Sequence, residues 1–372
     1  MRLPLRTFCV ALALVLAGEA AAQVAADPIP MTQVPASEIS IGVAAPLSGP
    51  SAILGQQIRT GASMAAERLA DPGVRLTIAD DECTADGGAR AARELAAARV
   101  QVVVGFLCGE SIEAALPILK QASIPTIAVG VRTDSLTDRR KRTGWLVYRL
   151  GPRADSERQA AGDLLSRVWR RDLFAIVDDG TIYGRELAEA VRSASEQAGL
   201  SPVFFDTFRP QLDNQIGLVG RLRRAGATHV FVGGDREDVA VIGRDAASSQ
   251  PPLIVATGDT LRSIGELPLA PGTMTVALPE WDQIAPPEIA KTFADRRIFA
   301  KGYVLPAYAA VEIAHAALAA ANSSAPLVAN LSNRDFATAI GAVRFDDKGD
   351  LAQNPYRLFR YDGAAFVEVP VP

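Results

Sequence analysis

Histidine and cysteine are scarce in this chain, with two of the first and three of the second among 372 residues. Neither His229, in the strand-like ATHVFVGG, nor His315, in the helix-like AAVEIAHAALAAA, has a matched nucleophile or metal-ligand spacing beside it. A hydrolytic enzyme or a metal centre therefore loses its usual residues, and no cofactor or metal is expected. No G-x-G-x-x-G follows the first predicted strand and no G-x-x-x-x-G-K-[ST] occurs, which removes the main support for a dinucleotide or phosphate-loop protein. Basic residues (38) are outnumbered by acidic ones (42), and the two are mixed throughout for a formal net charge of −4. That distribution offers no stripe for nucleic acid and no basic amphipathic segment for a membrane surface. Nor is any apolar run long enough to span a bilayer comfortably. The partner left by these exclusions is a small molecule or another protein.

The first apolar run has the length of a signal peptide. MRLPLRTFCVALALVLAGEAAAQ carries Arg2 and Arg6, then the run, then small residues before a predicted cut after Ala22. Cys9 sits inside the run and leaves with residues 1–22, so two cysteines are expected in an oxidising compartment. Cys83 and Cys108 each follow an apolar stretch, VRLTIAD and VQVVVGF, with the helical pattern GGARAARELAAARV between them. This reads as a βαβ unit with both thiols at one end. A disulfide is the expected state, with two free thiols or half a metal site as alternatives.

About 350 residues after the cut exceed what one core normally organises, so two domains are expected. The chain supports this with a βα rhythm from EISIGVAAPL to IPTIAVG that restarts, after GPRADSERQAAGDLLSRVW, at LFAIVDD and continues to PPLIVATG. Repeated βα units predict parallel sheets covered by helices on both faces. GTMTVALPEW follows, then a helical pattern from about Tyr308 to Ala321, and AVRFDDKGDLAQNPYRLFRYDGAAFVEV reads as two or three strands joined by turns. DDEC and FDDKGD lack the twelve-residue alternation of a calcium loop. The basic run Asp138 to Arg142 reads as a solvated loop, with contact to a membrane partner as the lesser alternative.

In open parallel sheets ligands sit beyond the carboxyl ends of the strands. Those ends are PLSGPSAILG, GFLCGES, AVGVRT, DDGTIYG, GGDRED and ATGDT. With GVAAPLSGPSAILGQQIRTGASMAAERL, the paired cysteines after DDE and GFL, DDGTIYGRELAEAV and the late FDDKGD, the chain resembles the periplasmic Leu/Ile/Val-binding proteins, the type I solute receptors of branched-chain amino-acid ABC transporters. The resemblance runs in order over nearly the whole chain after the signal. It implies two doubly wound α/β lobes joined by three hinge crossings, lobe 1 being 38–152 plus 276–343 and lobe 2 being 153–275 plus 344–372. It also implies a Cys83–Cys108 disulfide and no catalysis.

The same resemblance implies a ligand set. Gly109, Glu110 and Ser111 stand where the family offers N–H groups and a serine to a carboxylate. Gly130 and Arg132 stand where it has a carbonyl and a threonine, and an arginine there can clamp a carboxylate bidentately or pair with Glu110. Leu54 takes the apolar wall position and Tyr183 the ring over the ligand. Asp235 replaces a family tyrosine, and Asp259 takes the place of the acid that holds an ammonium group. The departures at Glu110, Arg132 and Asp235 argue against leucine, isoleucine or valine as the solute. The implied protein is a monomeric periplasmic receptor that captures an amino acid or related polar compound and passes it to a membrane permease. A ligand sensor of the same fold serving a signalling system is the alternative.

Overall fold

The structure is a computed structural model that describes residues 39–69, 73–248, 250–321, 326–332 and 334–371. The expected signal peptide, 1–22, lies outside the described residues. In the first lobe, strands β1 (Ile39–Ala45), β2 (Val74–Asp80), β3 (Val102–Gly105) and β4 (Thr126–Ala128) alternate with helices α1 (Ala52–Arg68), α2 (Ala85–Ala97) and α3 (Gly109–Gln121). Two single turns, α4 (Ser135–Asp138) and α5 (Arg140–Thr143), lead to β5 (Val147–Arg149). Strand order is β2-β1-β3-β4-β5, all parallel. All seven residues of β1 are buried, as expected of a parallel strand covered on both faces. The order reverses between β1 and β3, the point where such sheets open a ligand crevice.

The second lobe repeats the plan. Helix α6 (Ser156–Val168) precedes β6 (Phe174–Asp178), α7 (Ile182–Gln197), β7 (Phe204–Thr207), α8 (Ile216–Arg224), β8 (His229–Gly233), α9 (Arg236–Ala247) and β9 (Ile254–Thr257). A 3-10 turn (Asp259–Arg262) then leads to β10 (Met274–Ala277). The chain next returns to the first lobe through α10 (Trp281–Ile284), α11 (Pro287–Asp295), α12 (Val304–Ala319), α13 (Leu327–Ser332) and the hairpin β11 (Phe336–Thr338) and β12 (Gly341–Val343). Finally β13 (Arg357–Tyr361) and β14 (Phe366–Glu368) add antiparallel to the second sheet, giving β14-β13-β10-β9-β8-β6-β7.

Separate apolar clusters cover the two faces of each sheet. Helix α12 is apolar nearly all round and packs on α1, where a Cβ on Gly61 would strike the Val304 carbonyl. It begins at Val304 rather than Tyr308, because Pro306 falls in the first helical turn, where its missing N–H costs nothing. The chain passes between sheets three times: between β5 and α6, between β10 and α10, and in the stretch before β13. Phe345 still packs in the first lobe, 5.3 Å from the Tyr148 ring, and its segment closes a β-bridge to Leu351.

The short β5 lacks the longer apolar run that carries the equally short β4 in IPTIAVG, and it has a charged residue, Arg149, at its end. The basic run beside it is largely structural rather than a solvated loop. Arg139 pairs with Glu113 at 2.8 Å, and Arg140 donates to the Val147 carbonyl and lies over the Tyr148 ring. Lys141 and Arg142 remain exposed.

Candidate functional site

Cys83 and Cys108 form a disulfide, with Cα atoms 5.2 Å apart, that ties the turn after β2 to the start of α3. Beneath it Asp81 is fully buried and accepts the Cys83 N–H (3.1 Å) and the Ser111 hydroxyl (3.0 Å). Burial is the largest influence on Asp81 and raises its pKa, against these hydrogen bonds and with Asp80 and Glu82 adding repulsion. Ser111 is itself fully buried, so its hydroxyl serves Asp81 and the Cys108 carbonyl instead of facing a cleft.

A cavity of about 350 Å³ opens at the junction of the lobes. Its wall combines Gly130, Arg132 and Leu150–Pro152 from the strand ends of the first lobe, Asp259 and Arg262 from the 3-10 turn of the second, and Leu278–Asp282 and Ala300–Tyr303 after the second crossing. Gly130 must lack a side chain there, since a Cβ would strike Leu107 and come within 2.8 Å of the Tyr303 ring.

The cavity thus brings together three of the nine candidate ligand residues: Gly130, Arg132 and Asp259. Tyr183 lies behind the wall, half-buried, and donates to Glu157 Oε1 at 2.7 Å. The remaining five stand outside this wall. Leu54 is 40% exposed in the first turn of α1, while Gly109 and Glu110 open α3, with Glu110 exposed. Ser111 faces Asp81. Asp235 caps α9, accepting the Asp238 N–H at 2.9 Å, which explains an acid at that position by helix capping. No ion pair joins Arg132 to Glu110 among the described residues.

Glu157 is the residue that sequence reasoning missed at the centre of this arrangement. As the second residue of α6 it resembles an ordinary solvated first-turn acid, yet it is 9% exposed and accepts both the Tyr183 hydroxyl and the Asp259 N–H (2.8 Å). Gly258 leaves the room, because a Cβ there would strike Glu157 Oε1 and Leu187. Burial first, and then the Glu157 charge, push Asp259 up to about 6, with Arg132 and Arg262 opposing. Burial and Glu157 likewise raise Tyr183. A cation brought beside Asp259 would favour its charged form against the burial and the Glu157 charge.

Charged residues after β10 complete the wall. Lys301 Nζ binds Glu280 at 3.0 Å and Asp282 at 3.1 Å. Trp281 and Tyr303 contribute ring surface. The strand-end rule that points to ATGDT after β9 points equally to LPEWD after β10, so a signal for Glu280, Trp281 and Asp282 was present in the sequence.

Two doubly wound lobes joined by three crossings, with a solute-sized cavity at the junction, define the type I receptor architecture. The chain belongs to the periplasmic binding protein family, whose model matches residues 38–365, and this is a family of non-enzymatic solute-binding proteins. It is 27% identical over 346 residues to Leu/Ile/Val-binding protein homolog 3 of Brucella melitensis, covering 89% of this chain and 93% of that one. Among solved structures, a putative branched-chain amino acid ABC transporter protein from Rhodospirillum rubrum superposes with a TM-score of 0.74 at 18% identity, covering 89% of this chain and all of that one. An ABC transporter substrate-binding protein from Desulfitobacterium hafniense in complex with Leu gives 0.64 at 21% identity, again over 89% of this chain and 100% of the other.

Proposed function

We propose that this protein is the periplasmic solute receptor of an ABC importer, exported by its first 22 residues. It captures an amino acid or related zwitterion between its two lobes. The observation that carries this reading is the junction cavity, which holds an arginine of one lobe, Arg132, and a half-buried acid of the other, Asp259. Arg132 supplies the charge for a carboxylate and Asp259, backed by Glu157, the charge for an ammonium group. The relatives' names point to branched-chain amino acids, whereas the charged wall favours a solute with more polar character. Gly109, Glu110, Leu54, Tyr183 and Asp235 join the ligand's surroundings if closure carries them toward it, whereas the buried Ser111 stays with Asp81.

A thermal-shift panel of amino acids, their amides, polyamines and small carboxylates tests the reading, and at least one amino acid is expected to raise the melting temperature. With that amino acid, small-angle scattering should show a smaller radius of gyration, because lobes on short crossings close around a ligand that touches both. An unchanged radius at saturation would remove the clamp. Loss of uptake on deleting the receptor distinguishes transport from sensing.

A further inference from the structure

The amino terminus of α3, where a ligand carboxylate was expected, contributes nothing to the cavity wall, and its Ser111 is committed to Asp81. The wall instead holds a second arginine, Arg262, whose charge is poorly matched by the protein. Its side chain is 14% exposed and its guanidinium lies over the rings of Phe359 (4.2 Å) and Phe366 (5.3 Å). Nη1 donates to the Leu278 carbonyl, and the buried Nε has no acceptor among the described residues. Within ion-pair distance it has only Glu280 among the described residues, 3.7 Å away and already bound by Lys301 at 3.0 Å, while Asp259 acts on it from farther off. A guanidinium so desolvated calls for an anion, and its planar fork matches a carboxylate. Arg132 enters the same cavity from the other lobe.

We propose that Arg262 is the second half of a carboxylate clamp, one arginine from each lobe, so that the cleft selects solutes with a free carboxylate over their uncharged amides. This rests on the cleft being the solute site. It adds a specificity-determining residue and an anion seat built from two side chains in place of a helix terminus. Because the arginines belong to different lobes, a carboxylate shared between them also favours the closed clamp.

The test is calorimetric titration with each amino acid of the panel that binds, beside its carboxamide, beginning with L-leucine and L-leucinamide. The wild type should bind the acid at least about thirtyfold more tightly than the amide. Arg262→Gln should weaken the acid by a similar factor while leaving the amide within about threefold, so that discrimination collapses, and Arg262→Lys should restore part of it. Equal wild-type affinity for acid and amide overturns the clamp without any variant. Equal weakening of both forms in Arg262→Gln makes the arginine a packing element and also overturns it. If amides bind as well as acids, the receptor reading survives and only the clamp fails; if no amino acid binds at all, the amino-acid reading falls and the clamp with it.

Discussion

Arg149 and Arg262 both stand close to the crossings between the lobes, and their surroundings are opposites. Arg149 is fully buried, and Asp350 Oδ1 accepts from its Nε at 2.8 Å and its Nη2 at 2.6 Å. Its Nη1 donates to the Thr133 carbonyl, and Thr137 links Nη2 to Asp350 Oδ2. Arg153, on the first crossing, adds a 3.0 Å bond to Asp350 and reaches Asp138 and Asp155. Arg262 has ring faces, one carbonyl and a distant, shared carboxylate. A charge whose every nitrogen finds an acceptor in the protein is part of the scaffold; one left short of an anion beside a cavity is available to a ligand. The buried network joins the end of β5 to the late FDDKGD turn, so it fixes two of the crossings to one another on the first lobe's side.

Breaking the scaffold arginine should have the largest effect. Arg149→Met strands Asp350, which is 3% exposed, with only Arg153 and Thr137 for company, and should cost about 3–5 kcal/mol in denaturant unfolding. The double variant Arg149→Met, Asp350→Leu should recover much of that, since it removes both charges rather than one. Arg262→Gln should lose no more than about 1 kcal/mol of stability, its effect falling on ligand binding instead. A collapse of stability in Arg262→Gln matching Arg149→Met would erase the distinction between the two.

The disulfide comes next. Cys83 and Cys108 are 25 residues apart, and in the chain-entropy model a link closing such a loop contributes about 3–4 kcal/mol. The Cys83→Ser, Cys108→Ser double variant should lose that much, and the unmodified protein denatured without reductant should show no free thiol. Because the disulfide holds the Asp81–Ser111 turn rather than the cavity wall, ligand affinity should change less than stability.

Much of the fold could be read from the sequence because buried parallel strands announce themselves. VRLTIAD coincides with β2, and the βα rhythm carries through both lobes. What escaped was short or set by distant contacts. Strand β5 has three residues with the charged Arg149 at its end, and the basic run after Asp138 is shaped by Glu113, Tyr148 and Lys348, which no local pattern reveals. Within the site, Gly130, Arg132 and Asp259 were legible through strand-end position and family likeness. Glu157 and Arg262 were not, because a first-turn acid and a turn arginine acquire meaning only when packing buries them. Ser111 shows the converse, a plausible ligand hydroxyl taken by a buried aspartate.

Two raised carboxyl groups extend the comparison of cleft and scaffold to pH. Asp259 in the cleft is lifted to about 6 by burial and Glu157, and Glu312 on α12, away from the cleft, to about 7 by burial, against the Ala339 N–H and Arg68. A folded-state pKa above the unfolded value means that the protonated form stabilises the fold at low pH and that this stability is lost as pH rises through the folded value. Each group should therefore weaken the ligand-free protein at about pH 8 relative to about pH 5, on the order of 2 kcal/mol. His229 acts in the opposite sense, since burial lowers its pKa and it loses stability as pH falls. Comparing variants with wild type isolates the acids: Glu312→Gln and Asp259→Asn should each gain stability near pH 8 and little near pH 5 in denaturant titrations. An amine-bearing ligand should abolish the gain at Asp259 and leave that at Glu312, whereas equal behaviour of the two would mean that Asp259 does not meet the ligand.

The smallest expected effect belongs to Glu110, and it separates the two possible anion seats. Glu110 is exposed in the first turn of α3, where a carboxylate complements the helix dipole, so Glu110→Gln should cost less than about 1 kcal/mol of stability. If the ligand carboxylate lay at this helix terminus, removing the negative charge would relieve repulsion and tighten binding of the acid but not of its amide. If Arg132 and Arg262 hold the carboxylate, the acid's affinity should stay within about twofold, because Glu110 is exposed and solvent and salt screen its charge. Titrating Glu110→Gln beside Arg262→Gln with one acid and amide pair sets these outcomes against each other. A selective gain at Glu110 with no loss at Arg262 would return the carboxylate to the helix terminus and leave Arg262 as part of the wall.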